Sequence, residues 1–222
     1  MWSPASNTSW TLPARLLVDH AHAACPDHPV MIGISAGERV EADLASGAIP
    51  CPGCGAALRP WGHARPRRVR DLASTTQLLL RPRRARCTGC GTTHVLLPGA
   101  VLPRRADTTA VIGTALLASA RGLGYRRIAA DLQRPPATVR RWVRAVRGAH
   151  TEWLRTQAIE RLAVLDRDVI ATLHPAGSPL ADALNAVAAA ALTVQARLAP
   201  HAPIWALIAA VTRWRLLPLP GS

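Results

Sequence analysis

Four cysteines stand in two matched pairs, Cys51 and Cys54 in CPGCG and Cys87 and Cys90 in CTGCG. Two residues between thiolates let both sulfurs turn toward one tetrahedral ion about 2.3 Å away. The glycines that follow, Gly55 and Gly91, suit a tight turn needing positive φ, which also brings backbone amides to face the sulfurs. A single Cys-x-x-Cys can equally be a redox pair. Two of them flanking a strand-like stretch predict one metal site with Cys51, Cys54, Cys87 and Cys90 as ligands. Four thiolates leave no open position for water, so the expected ion is one structural Zn2+. His63 and His94 lie near the knuckles and are read as neighbours of the site rather than ligands. Cys25 sits among His20, His22 and His28, and with no partner pair it is read as an odd thiol in a polar loop.

A second chemistry is carried by arginine. In ATVRRWVRAVRGAH the apolar residues Val139, Trp142, Val143 and Val146 fall at helical spacing. The opposite face is left with Ala137, Thr138, Arg140, Arg141, Arg144 and Arg147. Guanidinium groups on one rigid face can pair bidentately with guanine edges or hold phosphate oxygens. The formal net charge of +14 is concentrated accordingly. Residues 51–150 hold nineteen Arg against Asp71, Asp107 and Asp131, whereas residues 1–50 are net acidic and residues 151–222 nearly neutral. So focused a field favours a polyanionic partner, double-stranded DNA first.

Positioning these groups takes three sorts of element. RRVRDLA and TQLLLRPRRARC are strand-like around STT, and THVLLP offers a third strand, so the cysteines are expected to close a zinc ribbon over residues 49–98. Such a small module has too little core to fold without its ion. A helical trio follows over 106–150: a helix from about Asp107 to Ala120, a second over YRRIAADL, and a third from Ala137 to His150 after the tight connection QRPP. The last two resemble a helix-turn-helix whose second helix enters the major groove. Gln133 stands at the start of the turn, where most such units have glycine. Residues 151–222 predict further helices: a stripe of Leu154, Ala158, Leu162, Leu165 and Val169, an Ala-rich helix capped by Ser178, and a last helix begun by Pro203. Their apolar stripes serve an intrachain core or, alternatively, a homodimer suited to palindromic sites. Residues 1–48 are left unassigned, apart from VMIGI as a strand and ERVEADLAS as a short helix. The expected fold class is mainly α with a small β zinc ribbon.

The segments CPGCG…WGHARPRRVRDL…RRARCTGCGTTHVLLP and GYRRIAADLQRPPATVRRWVR resemble, over residues 49–147, the N-terminal region of bacterial insertion-sequence transposases. They look closest to uncharacterised actinobacterial proteins that combine a zinc ribbon with a helix-turn-helix. The resemblance implies that the four cysteines are ligands and that the helix from Ala137 reads DNA. Transposases of that kind carry three carboxylates holding two metal ions. The residues after His150 are too few for that catalytic fold, and Asp166 and Asp168, at i and i+2 on an expected helix, diverge. With no phosphate loop or nucleophile constellation elsewhere, the expectation is a protein that is not an enzyme. It is expected in the cytoplasm at the nucleoid, with no targeting signal or membrane span. The alternatives are the DNA-recognition subunit of a transposase catalysed by another chain, and an RNA-binding or structural zinc-ribbon protein.

Overall fold

The computed structural model describes residues 31–34, 39–72 and 77–219. Cys25 with its neighbouring histidines, and the STT turn at 74–76, lie outside the described residues. The architecture is mixed α/β, with six strands and eight helices among the described residues.

The strands are β1 (Met31–Ile34), β2 (Leu58–His63), β3 (Arg67–Val69), β4 (Leu78–Leu80), β5 (Arg83–Cys87) and β6 (Thr93–Pro98). A four-stranded sheet runs in the order β1-β6-β5-β2, and β3 pairs with β4 in a sheet of their own. β5 is antiparallel to both its neighbours, whereas β1 lies parallel to β6 with Met31 opposite Val95. The expected hairpin is therefore two-tiered. Its outer tier is β3 against β4, as RRVRDLA and TQLLLRPRRARC predict, but β5 pairs with β2, a strand not anticipated from the sequence. Pro60 and Gly62 hide β2, since proline donates no ladder hydrogen bond and glycine weakens a strand. They are accommodated by an edge position and a register shift between Pro60 and His63.

Helix α1 (Val40–Ser46) covers the sheet with Leu44 and stops at Gly47, whose φ of 76° takes the left-handed cap conformation. Glu41 of α1 pairs with Arg83 of β5 at 2.6 Å. The core here is small: Leu44, Ile49, Leu58, Ala85 and Leu96 with the thiols Cys51 and Cys87.

The remaining helices are α2 (Thr109–Ala120), α3 (Tyr125–Asp131), α4 (Pro136–Ala145), α5 (Ala149–Leu165), α6 (Arg167–Ala171), α7 (Pro179–Leu198) and α8 (Ile204–Val211). Thr108 and Ser178 cap α2 and α7, each accepting a backbone N–H three residues on. One apolar core runs through this region. It joins Ile112 and Leu116 of α2, Ile128 of α3, Val139 and Trp142 of α4, Leu154 and Leu162 of α5, Val187 and Ala190 of α7, and Leu207 of α8. The stripes of α5, α7 and α8 are thus used inside the chain.

Two helix boundaries differ from the expectation. α4 ends at Ala145 instead of continuing to His150, because Gly148 turns the chain at φ 59° and Thr151 Oγ1 donates to the carbonyl of Val146. α5 stops at Leu165, and Asp166 becomes the N-cap of α6, accepting from the amide of Asp168 at 3.2 Å. Asp166 is also paired with Arg197 at 2.6 Å.

Close backbone approaches tie the helical part to the sheet. A Cβ on Gly33 of β1 would come within 1.8 Å of the Trp214 ring, and one on Gly99, just after β6, within 2.7 Å of Ala206 Cβ in α8. The segment after α8 thereby lays an indole on the edge of the sheet.

Candidate metal centre and basic helix face

The two knuckles are built by the same hydrogen bonds. Gly55 N–H donates to Cys51 O at 2.9 Å and Gly91 N–H to Cys87 O at 3.2 Å. Cys51 N–H donates to Ala56 O at 2.8 Å and Cys87 N–H to Thr92 O at 2.9 Å. Both glycines sit at φ 74°, the left-handed turn for which the sequence selects glycine. The ladder between β2 and β5 sets Leu58 opposite Cys87 and so brings the knuckles face to face.

The four sulfurs lie within 4.8 Å of one another. Cys54 Sγ is 3.3 Å from Cys87 Sγ, and Cys51 Sγ is 3.9 Å from Cys90 Sγ. A tetrahedron with metal–sulfur bonds of about 2.3 Å has corners about 3.8 Å apart, so the donor set fits a single ion such as zinc. Cys51 and Cys87 are buried and Cys54 and Cys90 exposed, which leaves the site at the surface with its inner half in the core. The amides of Gly89 and Cys90 point at Cys87 Sγ at 3.3 and 3.4 Å, as donors to a thiolate would. Burial pushes the Cys87 thiol pKa up, and these two amides oppose it.

His94, on β6, is fully buried with Nε2 3.5 Å from Cys51 Sγ. It touches the sulfur of one of the four clustered cysteines, a more intimate place than the sequence indicates; its alternation with Val95 in THVLLP was the available signal. His63 is exposed at the end of β2.

The second group is the outer face of α4. Val139, Trp142 and Val146 are buried, while Ala137, Arg140, Arg141 and Arg144 are exposed and Thr138 is half-buried. Ala137, Arg140, Arg141 and Arg144 line an open concavity of about 470 Å³. None of these arginines has an acidic partner among the described residues, although the Arg140 guanidinium lies 5.8 Å from the Tyr125 ring centre. Arg147 falls in the bend after α4, exposed but off the helix.

Gln133 takes φ 52° between α3 and α4, so the turn does use the conformation glycine would supply. The next residue, Arg134, is bound on several sides. Its Nε donates to Asp107 Oδ1 at 2.6 Å, and its Nη1 to Leu132 O at 2.9 Å. Asp107 is itself buried and accepts from Arg70 Nη2 at 2.6 Å. This Arg70–Asp107–Arg134 bridge locks the hairpin to the turn before α4. Nothing in the sequence marked it, because its members are 37 and 27 residues apart.

Residues 51–142 match the model of a domain of unknown function (DUF6431). The matched span begins at Cys51 and ends at Trp142 in α4, so it takes in the four clustered cysteines, the Arg70–Asp107–Arg134 bridge and the first part of α4, but not Arg144 or Arg147. No curated protein and no solved structure matches the chain. Among the described residues no helix is long and apolar enough to cross a membrane.

Proposed function

We propose that the protein is a zinc-stabilised, sequence-reading binder of double-stranded DNA, of transposase-like ancestry and without a catalytic domain of its own. In this reading Cys51, Cys54, Cys87 and Cys90 hold one Zn2+ whose work is architectural, the cysteine-bearing sheet is a zinc ribbon, and α3 and α4 form a helix-turn-helix. The protein acts at the nucleoid.

The observation that carries the reading is the division of α4. One face is anchored by Val139 and Trp142, and the other offers Arg140, Arg141 and Arg144 around an open concavity with no carboxylate paired to them among the described residues. Three exposed guanidinium groups on one helix repel one another, so a structural role alone does not explain their grouping. An anionic groove does. Ala137 and Thr138 stand at the helix start, where a recognition helix meets base edges. Arg147, beyond the helix, is suited to a phosphate.

Replacing Arg140, Arg141 and Arg144 together by Ala tests this. Duplex affinity should fall, and the dependence of log K on log salt should flatten by about 0.9 for each phosphate contact removed. Folding stability should move by less than about 0.5 kcal/mol, because the residues are exposed. An unchanged salt slope would place the contact on another surface. Tighter binding of single-stranded RNA than of duplex would replace the reading with that of an RNA-binding protein.

A further inference from the structure

We propose that Trp61, on the edge strand β2, is a stacking platform for an unpaired base of single-stranded DNA. This contact rests on the DNA-binding reading above for its partner and lies on residues that α4 does not supply.

Among the five described tryptophans, Trp142 and Trp214 are buried, Trp153 and Trp205 are partly covered, and Trp61 stands 49% exposed. An indole recruited for packing would be covered, because its large apolar surface contributes only when it leaves water. Trp61 is nevertheless held in place. Its strand shifts register between Pro60 and His63, and an irregularity of this kind re-aims the side chain within it. The backbone is pinned on both sides: Pro60 lies opposite Ala85, and Gly62 O accepts from Arg83 Nη1 at 2.6 Å. Arg83 is itself held by Glu41. A ring fixed before its ligand arrives loses little freedom on binding.

The surroundings are cationic. The Arg86 guanidinium lies 4.8 Å from the Trp61 ring centre, and Arg86 Nε donates to Gly91 O of the second knuckle at 3.2 Å. A cation over one face of an indole is attracted by the ring's quadrupole. With Trp61 half exposed, the other face is where a flat partner can lie. Arg59, opposite Arg86 in the ladder, shares its side of the sheet and donates to Ala45 O. Arg59 and Arg86 are exposed, as is Arg65 just beyond the strand. None of these three is paired with an acid among the described residues, whereas Arg83 is.

A flat apolar ring among cations is matched by a flat group tethered to negative charge. That is a nucleotide, with its base on the indole and its phosphates near the guanidinium groups. The base must be unpaired, since neighbours cover both of its faces within a duplex. A second copy of the chain would bring the same arginines against each other. A quaternary ammonium group, the other ligand that an indole face takes, would meet the same repulsion.

The test uses the full chain with its metal, an oligothymidylate, and an abasic oligomer of the same length and charge. The wild-type chain should bind the oligothymidylate more tightly. Trp61→Leu, which keeps an apolar side chain but no flat ring, should weaken that binding about five- to a hundredfold, the range that one stacked base supplies. Its affinity for the abasic oligomer and its salt slope should stay those of the wild type, because no charge is removed. Trp61→Phe, which restores a flat ring, should recover most of the preference. A variant that fails to fold would lose both oligomers together, and Trp61→Phe with the wild type's own preference then decides. Equal binding of the two oligomers by the wild type, or a preference surviving in Trp61→Leu, would overturn the platform while leaving duplex binding through α4 in place. Tighter binding of oligouridylate than of oligothymidylate would overturn DNA as its ligand. Absence of duplex binding with the oligothymidylate preference intact would instead overturn the reading of α4 and uphold the platform.

Discussion

The sheet around the cysteines and the helical region beyond it solve the same folding problem by opposite means. The helical region buries a continuous apolar core drawn from six helices, α2, α3, α4, α5, α7 and α8. The sheet has a few leucines, an alanine and an isoleucine, and two of its buried side chains are the thiols themselves. Hydrophobic burial scales with core size, so the helical part can stand on packing, while the sheet has little core beside its four clustered cysteines. The difference also sorts the arginines. Those on the sheet side are partly committed, Arg83 to Glu41 and Arg70 to Asp107, and Arg86 stacks 4.8 Å from the Trp61 ring centre. Those on α4 have no acidic partner among the described residues.

The largest effect should come from withdrawing metal. Chelation, or Cys51→Ser with Cys87→Ser, removes an interaction on the order of 10 kcal/mol in modules of this size. Hydrogen exchange should then show protection lost across 49–98 and kept across α5 and α7. Loss of both together would erase the distinction between the two regions, and metal analysis showing no ion in freshly purified protein would remove its cause.

Next in size is the joint between them. Asp107→Asn leaves two arginines facing each other without their carboxylate, and breaking a buried ion pair in this way costs about 3–5 kcal/mol. Denaturant unfolding should show the sheet melting before the helices, where the wild-type chain melts as one. A loss below about 1 kcal/mol would mean that water replaces the carboxylate.

A smaller effect of opposite sign is expected in the α3–α4 turn. Gln133→Gly relieves a left-handed residue that costs about 1–2 kcal/mol, less the entropy glycine adds to the unfolded chain. The net should be a gain of up to about 1 kcal/mol in chemical denaturation, and a loss would show that the Gln133 side chain has a role of its own.

The smallest effect concerns His150, stacked on Trp153 with ring centres 5.4 Å apart. Burial holds its pKa below the ordinary value of 6.5, nearby Arg215 acts the same way, and hydrogen bonds to the backbone of Leu216 and Arg215 oppose them. As pH falls through the unfolded value the unfolded chain takes up the proton first, so this contribution is complete above about 6.5 and is lost below it. Thermal midpoints of a His150→Gln variant should fall less steeply than those of the wild type between neutrality and mild acid.

Much of this was legible in the chain. The helix starts at Tyr125 and Pro179 follow from glycine and a serine cap, because such signals act within one turn of the backbone. The faces of α4 follow from spacing alone. Strand β2 was not legible, since Pro60 and Gly62 argue locally against a strand and only pairing with β5 makes one. The ends of α4 and α5 were misplaced because their breakers, Gly148 and Asp166, act through hydrogen bonds that the continuing apolar stripe conceals.

By itself the sequence determined the four sulfur donors, the two glycines that shape their turns, and the helix that keeps apolar and cationic residues on opposite sides. These are short-range matters of spacing and backbone geometry. Only the tertiary structure decided that His94 lies against Cys51, that Trp214 covers Gly33, and that Arg70 and Arg134 share Asp107. Contacts between residues tens of positions apart depend on where whole elements come to rest, and burial of the common core settles that.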